Sequence, residues 1–187
     1  MFEFRIHGRG GQGVVTAAEL LSVAAFLDGR EAQAFPSFGS ERMGAPVMSF
    51  CRIAEAPIRL REPVTEPDAV IVVDATLLHH VDLFAGLKPG GYVLINSTRS
   101  PEELGIDELA LDEGHLVSID ATELALRYTG RPLPNVCLLG GFAALTETVS
   151  TNSIERAVRD RFRSTVAETN IQAARAAFAA VHGVEYA

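Results

Sequence analysis

The stretch Phe2-Glu3-Phe4-Arg5-Ile6-His7-Gly8-Arg9-Gly10-Gly11-Gln12-Gly13-Val14-Val15 decides the fold of this chain. Phe2 to Ile6 read as a strand, and the glycines that follow permit a tight turn. Beyond them Val14, Ala17, Ala18, Leu21, Ala24 and Ala25 recur at three- and four-residue spacing, which gives one apolar helical stripe. Asp28-Gly29 stops that helix. Phe2 to Arg30 therefore form a strand, a glycine-rich turn and a helix at the head of an α/β domain.

Working outward, Glu31 to Phe35 read as a second strand and Pro36 to Pro46 as a loop rich in Gly, Ser and Pro. Val47 to Ile53 and Ile58 to Leu60 are expected to pair as a small hairpin. Ala69 to Val73 are continuously apolar and β-branched, as in a strand buried on both faces. Thr76 to Leu87 read as a helix closed by Lys88-Pro89-Gly90-Gly91, with further strands at Tyr92 to Ile95 and Leu116 to Ile119. Asp120-Ala121-Thr122-Glu123 has capping-box spacing and opens a short helix to Tyr128. Asn135 to Val149 read as an apolar helix interrupted by Gly140-Gly141. Two more helical stripes follow, one on Ile154, Ala157, Val158, Arg161 and Phe162, the other on Val166, Asn170, Ala173, Ala174, Ala177, Phe178 and Val181. The expectation is an α/β single domain over residues 1–187, with a mostly parallel sheet, helices on both faces, a small hairpin and a helical C-terminal third.

Composition narrows the function. With 187 residues, 48% of them hydrophobic, the chain can bury one core. A formal net charge of −8 argues against nucleic acid as the main partner. Cys51 and Cys137 stand far apart with no CxxC, so a disulfide framework, a zinc ribbon and an iron–sulfur cluster are all unsupported. Met1 leads straight into the first strand, and no apolar run approaches the roughly 20 residues that cross a bilayer. A cytoplasmic chain without membrane contact is expected.

Gly8-x-Gly10-x-x-Gly13 satisfies the dinucleotide-binding fingerprint and sits between a strand and a helix, where the helix start offers free N–H groups and partial positive charge to an anion. That fingerprint also wants an acidic residue at the end of strand two, to hold a ribose hydroxyl. Here Ala32-Gln33-Ala34-Phe35 runs into Pro36, and Glu31 is at the other end. Nicotinamide or flavin is disfavoured, while phosphate contact and a turn that binds nothing both stay open. The loop Pro36-Ser37-Phe38-Gly39-Ser40-Glu41-Arg42-Met43-Gly44-Ala45-Pro46 follows a strand and so lies at the carboxyl edge of the sheet. It reads either as part of a ligand site or as a solvated connector. Asp74 ends an apolar strand and reads foremost as a helix cap; Asn96 ends another at the same edge. His79 and His80 are adjacent on a helix, about 100° apart, and cannot share a metal. His7 lies in the glycine turn, with no nucleophile or carboxylate pair beside it, and no residue is assigned a catalytic role.

Taken together, Gly8-Arg9-Gly10-Gly11-Gln12-Gly13 and Pro36-Ser37-Phe38-Gly39-Ser40-Glu41-Arg42-Met43-Gly44-Ala45-Pro46 closely resemble the two motifs of the gamma subunit of the pyruvate/2-oxoacid:ferredoxin oxidoreductases, in order and at the usual distance. Met43 stands where Arg is often found. The loop wording is similar to that of the pyruvate, branched-chain or arylglyoxylate types. The resemblance implies a component of a larger enzyme, inactive alone, in which alpha and beta subunits hold thiamine diphosphate and beta or delta subunits hold [4Fe–4S] clusters. Those partners oxidise a 2-oxoacid, pass electrons to ferredoxin and transfer the acyl group to coenzyme A. The chain itself would hold neither thiamine nor iron and would help form the coenzyme A site and the subunit interface. The residues implied in that site are Gly8, Arg9, Gly10, Gly11, Gln12, Gly13, Ser37, Phe38, Gly39, Glu41 and Arg42. Two other classes stay open, a free-standing nicotinamide-binding reductase and a purely structural partner subunit.

Overall fold

A computed structural model of the chain describes residues 1–37, 43–109 and 111–184. Six strands form one sheet in the order β2-β3-β1-β4-β5-β6. They are β1 (Phe2–Arg9), β2 (Glu31–Pro36), β3 (Pro46–Ala54), β4 (Ala69–Val72), β5 (Tyr92–Asn96) and β6 (Leu116–Ile119). β1, β4, β5 and β6 run parallel, as buried apolar strands joined by crossovers should. β3 runs antiparallel between β1 and β2, so the glycine-motif strand has an antiparallel neighbour on one side only.

The helices are α1 (Val14–Leu27), α2 (Pro101–Leu104), α3 (Ala121–Thr129), α4 (Asn135–Thr146), α5 (Thr151–Arg161) and α6 (Ser164–Val181). α1 packs over β1, β2 and β3, and α4 lies over β5 and against α6. Phe4, fully buried on β1, meets Phe142 of α4 with ring centres 4.8 Å apart and joins the two halves of this face. The helical C-terminal third follows the expectation, although Val166 is exposed and Ala167, Ile171, Ala174 and Ala177 carry the buried stripe of α6.

Three local expectations are corrected. The hairpin partner of Val47 to Ile53 is β2, not Ile58 to Leu60, which belong to no strand. Pro57, Pro63 and Pro67 break the segment after β3 and cannot donate to a ladder. The segment instead supplies the Glu62 carbonyl to the buried Arg52 side chain. Thr76 to Leu87 are not an α-helix: a 3-10 turn spans Ala75–His79, and the chain beyond it is irregular. Arg5 of β1 reaches the Leu83 and Ala85 carbonyls, the first of which a helix continuing to Leu87 would have used internally. Leu77 and Leu83 still cover Val70, Val72, Val93 and Ile95 on this second face of the sheet. Finally, Gly140 and Gly141 do not interrupt α4. A Cβ at Gly140 would run into the carbonyl oxygen of Ala174, so this glycine lets α4 and α6 approach closely.

Candidate functional site

β1 runs on past its apolar half through Gly8 and Arg9 before the chain turns at Gly10 to Gly13 into α1. Two glycines here are required by the backbone: Gly11 has φ +95° and Gly13 φ +72°, in the left-handed region. Gly8 is required by packing, because a Cβ there would sit 2.6 Å from Val14 Cγ2.

The polar side chains of the motif are turned to holding this loop in place. Gln12 Oε1 accepts the N–H of Arg9 at 2.7 Å, and Gln12 Nε2 donates to Asp74 Oδ2 at 2.8 Å. Arg9 Nε lies 3.2 Å from Asp74 Oδ2, its Nη2 donates to Thr76 Oγ1 at 2.8 Å, and its Nη1 donates to the Gly44 carbonyl at 3.1 Å. Asp74 Oδ1 accepts the Thr76 amide at 3.0 Å and the Thr76 hydroxyl at 2.6 Å, so the cap expected at Asp74 is present on the 3-10 turn. Partial burial pushes the Asp74 carboxyl up; hydrogen bonds from Thr76 and Gln12 and the charge of Arg9 outweigh it and hold it below the usual aspartate range.

What the turn leaves open is its backbone. Among the described residues, the N–H groups of Gly11, Gly13, Val14, Val15 and Thr16 have no acceptor, and the first turn of α1 has neither a side-chain cap nor an acidic residue. These donors and the positive end of a 14-residue helix face a cleft of about 470 Å³ lined by Gly10, Gly11, Gly13, Val15, Met43 and Val47. Met43 is 87% exposed and stands beside Gly11 at the mouth of the cleft. The arrangement suits an anion held by backbone donors.

The remaining candidates divide. Ser37 is held by its amide to the Met48 carbonyl at 2.8 Å, whereas Phe38, Gly39, Ser40, Glu41 and Arg42 lie outside the described residues. His7 is on β1 rather than in the turn; it is buried, its Nε2 has no partner among the described residues, and burial followed by the charge of Arg5 pushes its pKa down to about 4. Asn96 is engaged with the Val73 carbonyl and with Thr122, which ties β5 to α3. His79 and His80 are exposed. Glu31 pairs with Ala54 at the far end of β2, away from the glycine turn. Among the described residues, no group of three or more His, Cys, Asp or Glu converges to hold a metal, and no helix is long and apolar enough to cross a membrane. Thr76, the Gly44 carbonyl and the buried Asn135, whose Nδ2 donates to the Gly13 carbonyl at 3.3 Å, complete the site without a sequence signal of their own.

Comparison with known proteins places this geometry. Residues 3–180 match the family described as pyruvate ferredoxin/flavodoxin oxidoreductase. The pyruvate/ketoisovalerate oxidoreductases common subunit gamma of Pyrococcus abyssi is 48% identical over 178 residues, 95% of this chain and 96% of that one. Pyruvate synthase subunit PorC of Methanosarcina barkeri is 52% identical over 159 residues, 85% of each chain. The crystal structure of the pyruvate oxidoreductase subunit PORC of Thermotoga maritima superposes with a TM-score of 0.83 at 34% identity, over 95% of this chain and 94% of that one. The family match over residues 3–180 and these near end-to-end likenesses agree: the chain belongs to the pyruvate ferredoxin/flavodoxin oxidoreductase family, as a gamma-type subunit of an oxidoreductase.

Proposed function

We propose that this chain is the gamma component of a cytoplasmic, heteromeric 2-oxoacid:ferredoxin oxidoreductase, and that its glycine turn forms one wall of the coenzyme A site. In this reading the 2-oxoacid is pyruvate or a close relative. Alpha and beta subunits supply thiamine diphosphate, and beta or delta subunits supply the [4Fe–4S] clusters that pass electrons to ferredoxin. The observation that carries the proposal is the set of unengaged amides of Gly11, Gly13, Val14, Val15 and Thr16 at a helix start with no acid of its own. A diphosphate brings negative charge to just such donors. Coenzyme A carries a phosphate on its ribose and has no free 2′,3′-diol, so a strand β2 that ends Ala34-Phe35-Pro36 without a carboxylate suits it. The same ending disfavours a free-standing nicotinamide reductase, and the relatives are subunits.

Within such a site Gly10 and Gly11 bring the backbone to the ligand, Gly8 and Gly13 make room for Val14 and Asn135 beneath the turn, and Arg9 and Gln12 keep the turn in shape through Asp74. Ser37, Phe38, Gly39, Glu41 and Arg42 join the wall on the strength of the motif they spell. The test is Gly11→Asp in the assembled complex, followed by ferredoxin reduction with pyruvate as coenzyme A is varied. KM for coenzyme A rises about tenfold or more, while Gly11→Asn, of equal bulk and no charge, has a smaller effect. Unchanged kinetics in Gly11→Asp would leave the turn with a folding role alone. Micromolar binding of NADH to the purified chain would revive the reductase reading.

A further inference from the structure

The glycine turn also opens on a second hollow. Gly11, Gly13 and Thr16 line both the cleft beside Met43 and a neighbouring cleft of about 360 Å³, whose other walls come from the chain between α3 and α4 and from α5 and α6. Among the described residues its lining includes Arg131 and Arg161 and no carboxylate. In a chain of net charge −8, two arginines on one lining make this cleft locally basic, and Arg161 also borders a hollow that holds Glu19 and Asp160. Neither guanidinium has an ion pair among the described residues, whereas Arg9, Arg30, Arg52, Arg159 and Arg175 each face a carboxylate. Arg161 instead lies over the Phe162 ring, 5.7 Å from its centre, a contact that leaves its charge in place. Asn135, 4% exposed, lines this second cleft and donates to the Gly13 carbonyl.

We propose that this second cleft is a monophosphate subsite in which Arg131 and Arg161 hold the phosphate on the ribose 3′ position of coenzyme A. The inference rests on the reading that the diphosphate of the same molecule lies on the glycine turn. One ribose links those two anionic groups, so a protein that holds both needs two anion sites that adjoin without coinciding. Two clefts that share Gly11, Gly13 and Thr16 meet that requirement. A guanidinium presents a planar fork of donors that matches phosphate oxygens, and both arginines are exposed, so the charges are paired without being buried. Leu133 and Val166, on the same lining, offer aliphatic surface beside the phosphate for the attached base.

The experiment compares coenzyme A with 3′-dephospho-coenzyme A in the assembled complex. The wild type has a KM for coenzyme A lower by on the order of tenfold. In the double variant Arg131→Gln/Arg161→Gln this preference collapses toward one, through a rise in the KM for coenzyme A. Arg131→Lys/Arg161→Lys, which keeps charge but loses the fork, retains part of the preference. A double glutamine variant that keeps the full preference overturns the subsite, as does a wild type with none or a loss shared equally by both substrates. Gly11→Asp separates the two levels. If it raises both KM values while the arginine variants leave the preference intact, only the subsite fails; if no variant moves either KM, the coenzyme A reading of the turn fails with it.

Discussion

Gln12 bridges two strand ends: its Nε2 donates to Asp74 Oδ2 at 2.8 Å while its Oε1 accepts the N–H of Arg9 at 2.7 Å. One side chain thus serves the last amide of β1 and the acid just past β4. Removing it in Gln12→Ala leaves that amide and one carboxylate oxygen short of a partner and costs about 1–2 kcal/mol of unfolding free energy, read from urea denaturation. Gln12→Glu costs more at neutral pH, because a second carboxylate then faces Asp74, and part of that excess returns on acidification. A Gln12→Glu variant as stable as wild type at pH 7 would mean that the bridge is not maintained in solution.

Asp74 gives the site an acid limit. Burial acts against its charge, but hydrogen bonds from Thr76 and Gln12 and the Arg9 guanidinium hold its carboxyl below the usual range. A carboxyl depressed in the fold stabilises it fully above the unfolded-state value, about 3.9, and that stabilisation is lost as pH falls through the lower folded value. Asp74→Asn is therefore less stable than wild type at pH 7, and the difference shrinks below about pH 4. Thermal unfolding of both proteins at pH 7 and pH 3 reads the change; a difference that widened at pH 3 would have the wrong sign.

His7 works in the same direction over a different window. Its ring is buried on β1 between the register partners Met48 and Val72, and burial with help from the Arg5 charge lowers its pKa to about 4. The unfolded chain binds a proton near pH 6.5 that the folded chain refuses, so stability falls as pH drops from about 6.5 toward 4. The full effect is on the order of 3 kcal/mol. His7→Asn, which cannot titrate, flattens this part of the pH–stability curve. An NMR titration that put the His7 midpoint near 6.5 would remove the basis for the effect.

The strand, turn and helix from Phe2 to Leu27 were legible because each signal is local: strand composition, glycine spacing, then a 3.6-residue stripe. β4 and β5 were legible for the same reason, as unbroken apolar runs. Pairing was not. Val47 to Ile53 carry no mark that says whether β2 or Ile58 to Leu60 lies alongside, and the choice falls to the prolines after β3 and to the Glu62 carbonyl taken by Arg52. Thr76 to Leu87 also read as a helix, and it is Arg5, 78 residues from Leu83, that takes a carbonyl such a helix would need. At the site, the motif glycines were readable as turn formers, but that Arg9 and Gln12 spend their polar groups on Asp74 depends on where β4 ends in space. Arg131 and Arg161 are far apart in sequence and meet at one cleft only after α4 to α6 have packed.

The two glycines of α4 separate packing from propensity. Alanine in place of glycine inside a helix is intrinsically favourable by about 1 kcal/mol, so both Gly140→Ala and Gly141→Ala start with the same gain. At Gly141 the new methyl meets Ile119 Cδ1 at 3.1 Å and Leu94 Cδ2 at 3.2 Å, side-chain ends that can shift, and the net change is within about 1 kcal/mol of zero. At Gly140 it meets the backbone of Ala174, which moves only if α6 moves as a whole. There the loss is about 2–3 kcal/mol or more, with α6 displaced from α4. Since α6 carries Val166 and Asn170 into the arginine-lined cleft, Gly140→Ala also weakens coenzyme A use in the complex while Gly141→Ala does not. Urea denaturation of the two variants side by side checks the stability order, and equal destabilisation of both would show that close approach of α4 and α6 is not what Gly140 provides.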